Sequence, residues 1–592
     1  MTNEFEKLLK NSETALIAGL VEDSHWEGEL SSSALSTATA VIALHTVDRG
    51  LHAELIAGGA AWLRKHQNPD GGWGDTTASL SNISTTLLCR AALSLTDERA
   101  TPVEKADGYI GGCCGSCSPV DITAAVVARY GKDRTFSVPI LMACAIAGLL
   151  GETAAENWRR VLPLPFELGA FPRSWFGVLR LPVVSYALPA LIAIGYARSV
   201  HAPPPPPIRW YRRALWPRVS ALLDRIQPPN GGFLEATPLT SFVTMALASA
   251  GQKNHPVVER AVGFLQTSVR GDGSWPIDTN LATWTTTLAV KALDNIPETS
   301  RRKRIRRWLL DQQYHERHLF TDAPPGAWAW TDLPGGVPDA DDTSGALLAL
   351  HLLLDDESHA ESLAAAGKGV EWLLNIQNSD GGIPTFCRGW GTLPFDRSSP
   401  DLTAHTLRAW HAWLPDLGAP LQQRVRKQMI AALRYLDRVQ QPDGSWHPLW
   451  FGNQHRADEA NPTYGTTQVL RALLPSGGRP CDAVARGVTW LLNHHNSDGG
   501  WGAGEGSPSS IEETALALDA LAGAPGVADE VLHRGVEWLR HATENGTRFP
   551  AGPIGFYFAK LWYHEALYPV IWTVSALRRV KARTSRRAAG VG

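Results

Sequence analysis

The chain has 592 residues, enough for two or three large domains, and a net charge of −3 that does not point to a nucleic-acid partner. Hydrophobic residues make up 44% of it, yet no window reaches the 18 or more apolar residues of a membrane span. The nearest window, Pro182 to Ala197, is 16 residues long and carries Pro189. Trp is more abundant than either Phe or Tyr, 23 against 15 and 11, an ordering that asks for a reason beyond core packing.

From the N-terminus, Met1-Thr-Asn-Glu-Phe-Glu-Lys7 lacks the apolar core of a secretory signal peptide. The seven cysteines (Cys89, Cys113, Cys114, Cys117, Cys144, Cys387 and Cys481) are an odd number, which with no signal favours a reducing cytosol. Glu22, Asp23, Glu27 and Glu29 read equally well as a solvated segment or as carboxylates for a divalent ion. Cys114-Gly-Ser-Cys117 is a lone CxxC; without a second pair or a βαβ context it reads as incidental, not as a metal or redox site. After the proline run Pro203 to Pro207 comes Ile208-Arg-Trp-Tyr-Arg-Arg-Ala-Leu-Trp-Pro-Arg218. Arginine interleaved with Trp and Tyr suits a lipid headgroup interface, and it fits an ordinary basic helix start after a linker equally well. The basic tail Arg578 to Arg587 would add attraction to anionic lipid.

One turn recurs along the chain: an apolar helix ending in Gln, a short polar Gly turn, then an aromatic. It is seen in Gln67-Asn-Pro-Asp-Gly-Gly-Trp73 and Gln440-Gln-Pro-Asp-Gly-Ser-Trp446. Gln227 to Phe233 and Gln377 to Ile383 change the last residue, His495 to Trp501 replaces the Gln, and Gln266 to Trp275 reads as a stretched copy. A worn copy ends near Gly546. Each copy is followed by a Ser/Thr-rich start and a second apolar helix, such as Ser84–Leu93 or Glu512–Leu521. The unit is helix, turn, helix, repeated at roughly 40 to 65 residues as in helical repeat proteins. Second helices that are apolar on nearly all faces fit an inner ring covered by an outer one. The predicted fold is all-α: α/α barrels, two of them.

The densest chemistry lies at Pro338-Asp339-Ala340-Asp341-Asp342-Thr343-Ser344, just before the apolar run Gly345 to Leu354. An N-cap needs one such residue, Thr343 or an aspartate, whereas three carboxyls this close cannot all ionise cheaply. At least one should stay protonated near neutral pH, which makes it a Brønsted acid at the mouth of an apolar helix. Asp-x-Asp-x-Thr also fits the nucleophile motif of haloacid-dehalogenase-type phosphatases. That chemistry wants the first Asp at the end of a buried strand, and here the Gly/Pro-rich stretch Thr331 to Pro338 precedes it.

Taken together, the Gln…Gly…Trp turns and Asp339-Ala-Asp-Asp-Thr343 resemble the QW and acid motifs of the squalene-hopene cyclase family, the bacterial class II triterpene cyclases. The resemblance runs over essentially the whole chain. It implies a dumbbell of two α/α barrels, with residues 37–283 forming the inserted barrel and residues 1–36 plus 284–592 the catalytic one. By motif match, Asp341 resembles the proton donor, flanked by Asp339 and Asp342. His405, in Pro400-Asp-Leu-Thr-Ala-His405, resembles the histidine that bonds the donor, and Tyr464 a tyrosine supporting it. Trp330 and Trp284 resemble aromatics facing the growing cation, followed by Phe386, Trp450 and Phe556. Aromatic faces stabilise a carbocation without attacking it. Taken as a lone residue, His405 would read as an ordinary core histidine; the surrounding segment reverses that. Most of the 23 Trp read as packing residues, the turn residues Trp73, Trp446 and Trp501 among them.

The chain departs from the family pattern in three places. The connector Phe451 to Thr463 is longer than usual. Acidic residues expected on the N-terminal helices are replaced by apolar or small ones around Thr37 and Leu88, which leaves the final quenching step open. The segment 203–218 is only loosely similar to the family's membrane-contact region.

The implied activity is protonation of a terminal alkene of squalene or a related polyprene, followed by templated polycyclisation without metal or organic cofactor. The resemblance also implies peripheral contact with the cytoplasmic face of a bacterial membrane, and it leaves a homodimer open. The alternative is a class II cyclase of a prenyl diphosphate, of diterpene or drimane type and assisted by Mg²⁺. A protein prenyltransferase β-subunit would need an Asp/Cys/His zinc site, and none is evident around Cys387 or Cys481. A non-catalytic scaffold is argued against by the complete acid motif.

Overall fold

The computed structural model describes residues 3–96, 101–131, 133–171, 175, 183–355, 359–474, 482–557 and 560–588. Pro182 at the edge of the apolar window, and Cys481, lie outside these residues. The architecture is helical, with strands of two or three residues only.

Helix α1 (Asn3–Ala18) leads into a first ring whose inner wall is α2 (Ala34–Asp48), α3 (Ile83–Thr96), α4 (Arg134–Ile146), α5 (Val183–His201) and α6 (Thr237–Ser249). Each packs on the next and α6 packs back on α2, closing the ring. The apolar window of the sequence is therefore the inner helix α5, with Leu188, Ile192 and Ile194 buried. A second ring is built from α7 (Ala282–Leu293), α8 (Ala340–Leu352), α9 (Pro400–Trp413), α10 (Pro462–Leu473), α11 (Ile511–Gly523) and α12 (Tyr568–Ala588), and closes α12 against α7. The helices between them in sequence, such as Ala419–Val439 and Asp529–Ala542, cover this ring from outside, and α1 covers α12. Inner helices can be apolar all round because neighbours enclose them: α2 is buried from Ala34 to Leu44 and α11 from Ile511 to Ala522.

The repeated turn acts as a staple. Gln67, Gln227, Gln377 and Gln440 each donate their amide to the carbonyl of the Gly four residues on, at 2.8–3.0 Å. The same amide reaches a carbonyl near the start of the next outer helix, as Gln440 does to Ala483 O at 2.9 Å. The glycines take the positive φ that the turn demands, +87° at Gly71 and +97° at Gly444. Trp73, Trp275, Trp446 and Trp501 donate their indole N–H to the carbonyl ten residues back, at 2.8–2.9 Å. Their backbone N–H is taken by a Thr hydroxyl on the next inner helix around the ring, as in Trp446 to Thr466 at 3.0 Å; for Trp275 this is Thr37 of α2, earlier in the chain. Free groups at helix ends are thus satisfied repeat by repeat, which accounts for these four tryptophans and for the Thr residues at the helix starts they bond.

Two details differ from the sequence reading. Trp275 closes a turn of ordinary length, with Arg270 N bonded to Ser274 O, so Gln266 is an exposed residue inside Pro256–Ser268 and plays no part in the staple. A further copy was hidden: Gln313 donates to Gly326 O and Ala365 O at 2.8 and 2.9 Å, and Trp328 donates to Leu309 O at 2.7 Å. Its Thr is Thr343, whose hydroxyl takes the N–H of Trp328 at 3.1 Å. The acid motif is therefore the start of a repeat's second helix.

The long connector 451–463 fastens the two rings. Glu459 is held by Arg129 of the first ring at 2.6 Å and by Lys560 at 3.0 Å, and Gln454 accepts Leu80 N at 2.7 Å.

Candidate active site

The N-terminal ends of inner helices from both rings face a shared cavity of about 430 Å³. From the first ring come residues early in α4, α5 and α6, with Tyr186 and Phe242 among them; from the second come Trp284, Trp330, the three aspartates and the aromatic loops. Most of the wall is apolar.

Asp339 is the N-cap of α8, accepting Asp342 N at 2.8 Å; Thr343, occupied by its staple, is not. Asp339 and Asp342 are both buried, and each has one carboxyl oxygen without a donor. Their side chains bond to each other, which requires a proton between them; burial and the charge of Asp341 raise Asp339 to about 7, while burial and the charges of Asp339 and Asp341 raise Asp342 well above the usual carboxylate range. Two carboxyls sharing one proton titrate as a pair.

Asp341 points the other way. It lies on the cavity wall, and burial raises it to about 7. Its Oδ1 pairs with His405 Nδ1 at 2.5 Å. Behind it is a second, small polar chamber of about 20 Å³, lined among others by Lys291, Asp401, His405, Arg408, Tyr464 and Arg471. Asp341 and Trp284 line both spaces. One face of the carboxyl meets an apolar cavity and the other a polar chamber, the arrangement an acid needs to protonate an apolar substrate and leave a stabilised carboxylate.

The structure brings most of the expected residues together. Trp284 donates its indole N–H to Tyr568 Oη at 3.0 Å and stands edge-on to His405, ring centres 6.1 Å apart. Trp330 lines the cavity, and its carbonyl receives Thr283 N and Trp284 N at 3.0 and 3.2 Å. Phe386 and Trp450 are on the wall, 6.2 Å apart, with Trp450 Nε1 bonded to Thr385 Oγ1 at 2.7 Å. Tyr464 stacks on Phe451 at 3.8 Å and faces the polar chamber; it has no hydrogen bond to Asp341 among the described residues. Phe556 is not on the wall: it sits in the hairpin Gly555–Tyr557/Leu561–Tyr563 and packs on Trp562 at 4.3 Å. Its hairpin instead sends Leu561 and Tyr563 into the cavity.

Several wall residues carry no motif: Tyr186, Phe242, Phe395 and Phe451. Lys291, whose Nζ is 2.9 Å from His405 Nε2, was also missed. Its one signal is a lone cation in an apolar helix, seven residues after Trp284 and so on the same face. Of the N-terminal acids, Asp23 is taken up by Arg301 and Arg304. Among the described residues no three His, Cys, Asp or Glu side chains gather in a metal-holding group, and Cys113, Cys114 and Cys117 are free thiols.

Comparison with known proteins is consistent with this arrangement. The family profile described as "Squalene-hopene cyclase C-terminal domain" matches residues 280–581, and its N-terminal counterpart matches residues 9–112. A squalene-hopene cyclase of Bradyrhizobium diazoefficiens is 24% identical, over 96% of this chain and 94% of that protein. A terpene cyclase-glycosyl transferase fusion protein of Humicola fuscoatra is 27% identical over 95% of this chain, which spans about half, 49%, of the fusion. A drimenyl diphosphate synthase of Streptomyces showdoensis is 26% identical over 52% of this chain and 51% of its own length. In fold, an ent-copalyl diphosphate synthase from Streptomyces platensis matches with a TM-score of 0.56 at 19% identity, covering 98% of this chain and all of that one. With the C-terminal profile alone matching just over half of its residues, the chain belongs to the squalene-hopene cyclase family and is a class II terpene cyclase.

Proposed function

We propose that this cyclase protonates the terminal alkene of squalene or a near relative and folds it into a polycyclic triterpene. The observation that carries the reading is Asp341 at the junction of an apolar, aromatic-lined cavity and a polar chamber. The Asp341 carboxyl gives its proton to the terminal alkene carbon, leaving a tertiary cation on the substrate and a carboxylate on the enzyme. His405 donates to that carboxylate, while Asp339 and Asp342 hold their shared proton beside it. Each following alkene attacks the cation before it, and the cavity supplies orientation. Trp284, Trp330, Phe386 and Trp450 offer π faces to the moving charge. Loss of a proton or capture of water ends the sequence. In this reading residues 1–36 plus 284–592 supply acid and aromatics, and the inserted unit 37–283 supplies the opposite wall.

The substrate would reach the site from lipid. Trp210 and Tyr211 on the helix Pro206–Ile226 are 64% and 51% exposed, and Trp175 is 55% exposed. With the neighbouring arginines they fit the cytoplasmic membrane surface. No single described helix is long and apolar enough to cross a membrane.

A second reading, cyclisation of a prenyl diphosphate, has one observation in its favour: Arg134 is an exposed cation on the rim of the same cavity. Purified protein in detergent, given squalene or geranylgeranyl diphosphate with and without EDTA and read by GC–MS, tests both. Cyclised squalene insensitive to EDTA supports the first reading. Turnover of the diphosphate alone, lost on chelation and restored by Mg²⁺, replaces it with the second.

A further inference from the structure

Lys291 occupies a position that the acid motif does not explain. It sits near the end of α7, partly buried, and its Nζ reaches His405 Nε2 at 2.9 Å while His405 Nδ1 meets Asp341 Oδ1 at 2.5 Å. The ammonium also lies 5.4 Å from the centre of the Trp284 ring. As an ammonium Lys291 is a donor only, and His405 Nε2 then accepts from it. A neutral imidazole then carries its single proton on Nδ1, pointed at Asp341. Burial and the cations Lys291, Arg408 and Arg471 hold His405 well below its ordinary range, which keeps it neutral.

The charged and titratable groups facing Lys291 come from three helices: Asp341 and Asp342 from α8, Asp401, His405 and Arg408 from α9, and Tyr464 and Arg471 from α10. Burial and the two arginines push the ammonium toward neutrality, and Asp341 pulls it back when ionised. Lys291 is thus held as a cation best in the state where Asp341 is a carboxylate, the state reached when the proton has gone to the substrate. Interactions stronger after proton transfer than before it lower the barrier.

We propose that Lys291 is a positioning residue of the acid: through His405 it fixes which imidazole nitrogen donates to Asp341, and its charge matches the carboxylate left by proton transfer. The inference rests on Asp341 being the acid, so its test separates the two.

Lys291→Met keeps the length of the side chain and removes the charge; Lys291→Arg keeps the charge. With squalene in detergent, Lys291→Met is expected to lower kcat about tenfold to a hundredfold with KM little changed, and Lys291→Arg to recover part of it. Removing a cation beside a carboxyl raises its pKa, so the alkaline limb of the rate profile moves up by about one pH unit even as the rate falls. Lost packing alone would lower the rate with the limb unmoved, and that result overturns the proposal. A second readout needs no substrate: ¹⁵N NMR of histidine-labelled protein, with the His405 signal identified by its absence in His405→Gln. The wild type should show the Nδ1–H tautomer and Lys291→Met a mixture; an unchanged tautomer in Lys291→Met overturns the proposal. Asp341→Asn is run beside these variants. If it is inactive while Lys291→Met behaves as wild type, only the role of Lys291 fails; if Asp341→Asn turns over, the acid assignment fails first.

Discussion

Replacing Trp330 by Ala isolates the contribution of one aromatic face to the path of the cation. The indole is on the cavity wall and its ring N–H is buried without a partner, so truncation breaks no hydrogen bond of the side chain. The two bonds that start α7, from Thr283 N and Trp284 N, end on the backbone carbonyl of residue 330 and survive the substitution. What disappears is the π face. In a desolvated site a cation–π contact contributes about 2 kcal/mol. If that stabilisation acts on the transition state for the next ring closure but not on premature proton loss, the ratio of the two shifts about thirtyfold toward early products. The assay is GC–MS of total products from Trp330→Ala and Trp330→Phe against wild type, with circular dichroism as a control for folding. Partly cyclised products should dominate for Ala and remain minor for Phe. An unchanged profile for the folded Ala variant would show that Trp330 does not face the cation.

Other consequences are equally open to measurement. His405→Ala should slow turnover by roughly 10²-fold while the protein stays folded, because it removes a donor to the carboxylate and not the proton itself; a rate equal to wild type would contradict the pairing with Asp341. The acid must be protonated to act, and burial raises Asp341 to about 7, so the rate should be flat at lower pH and fall as pH rises through that value; a rate that climbs through this range contradicts the assignment. Burial and the charge of Glu513 raise Glu512 from 4.5 to about 8, so its contribution to stability is fully present below the unfolded value and lost as pH rises through the folded one. Glu512→Gln should therefore flatten the fall of Tm between about pH 5 and 9; an identical slope would remove Glu512 from the balance. The protein should float with anionic vesicles, and Trp210→Ser with Tyr211→Ser should weaken this; wild type that stays at the bottom of the gradient rejects the membrane surface.

Legibility in the sequence followed periodicity. The Gln–Gly–Trp staple repeats, so helices, turns and the two rings could be read from a handful of copies, and the clustered aspartates stood out against an apolar run. Where the turn changes length the signal fails: Gln313 and Gly326 are 13 residues apart and their copy went unseen, while Gln266 looked like a staple and is a surface residue. Side chains that meet only in three dimensions left less trace. Tyr186 and Phe242 join the wall because α5 and α6 of the other ring face it, and nothing local to their sequence says so. Phe556 was placed on the wall from a motif, yet its hairpin turns Leu561 and Tyr563 inward instead. Lys291 was overlooked because a single charge in an apolar helix reads as an exposed position until its neighbours are known.

Asp341→Asn bears most directly on the central claim. Asn keeps the size of the side chain and most of its hydrogen bonds, so circular dichroism and Tm should stay near wild type, yet it has no proton to give an alkene. Purified Asp341→Asn, incubated with squalene in detergent beside wild type and read by GC–MS, is expected to yield no cyclised product. Cyclisation at a rate near wild type by the folded variant would place the acid elsewhere and contradict the account.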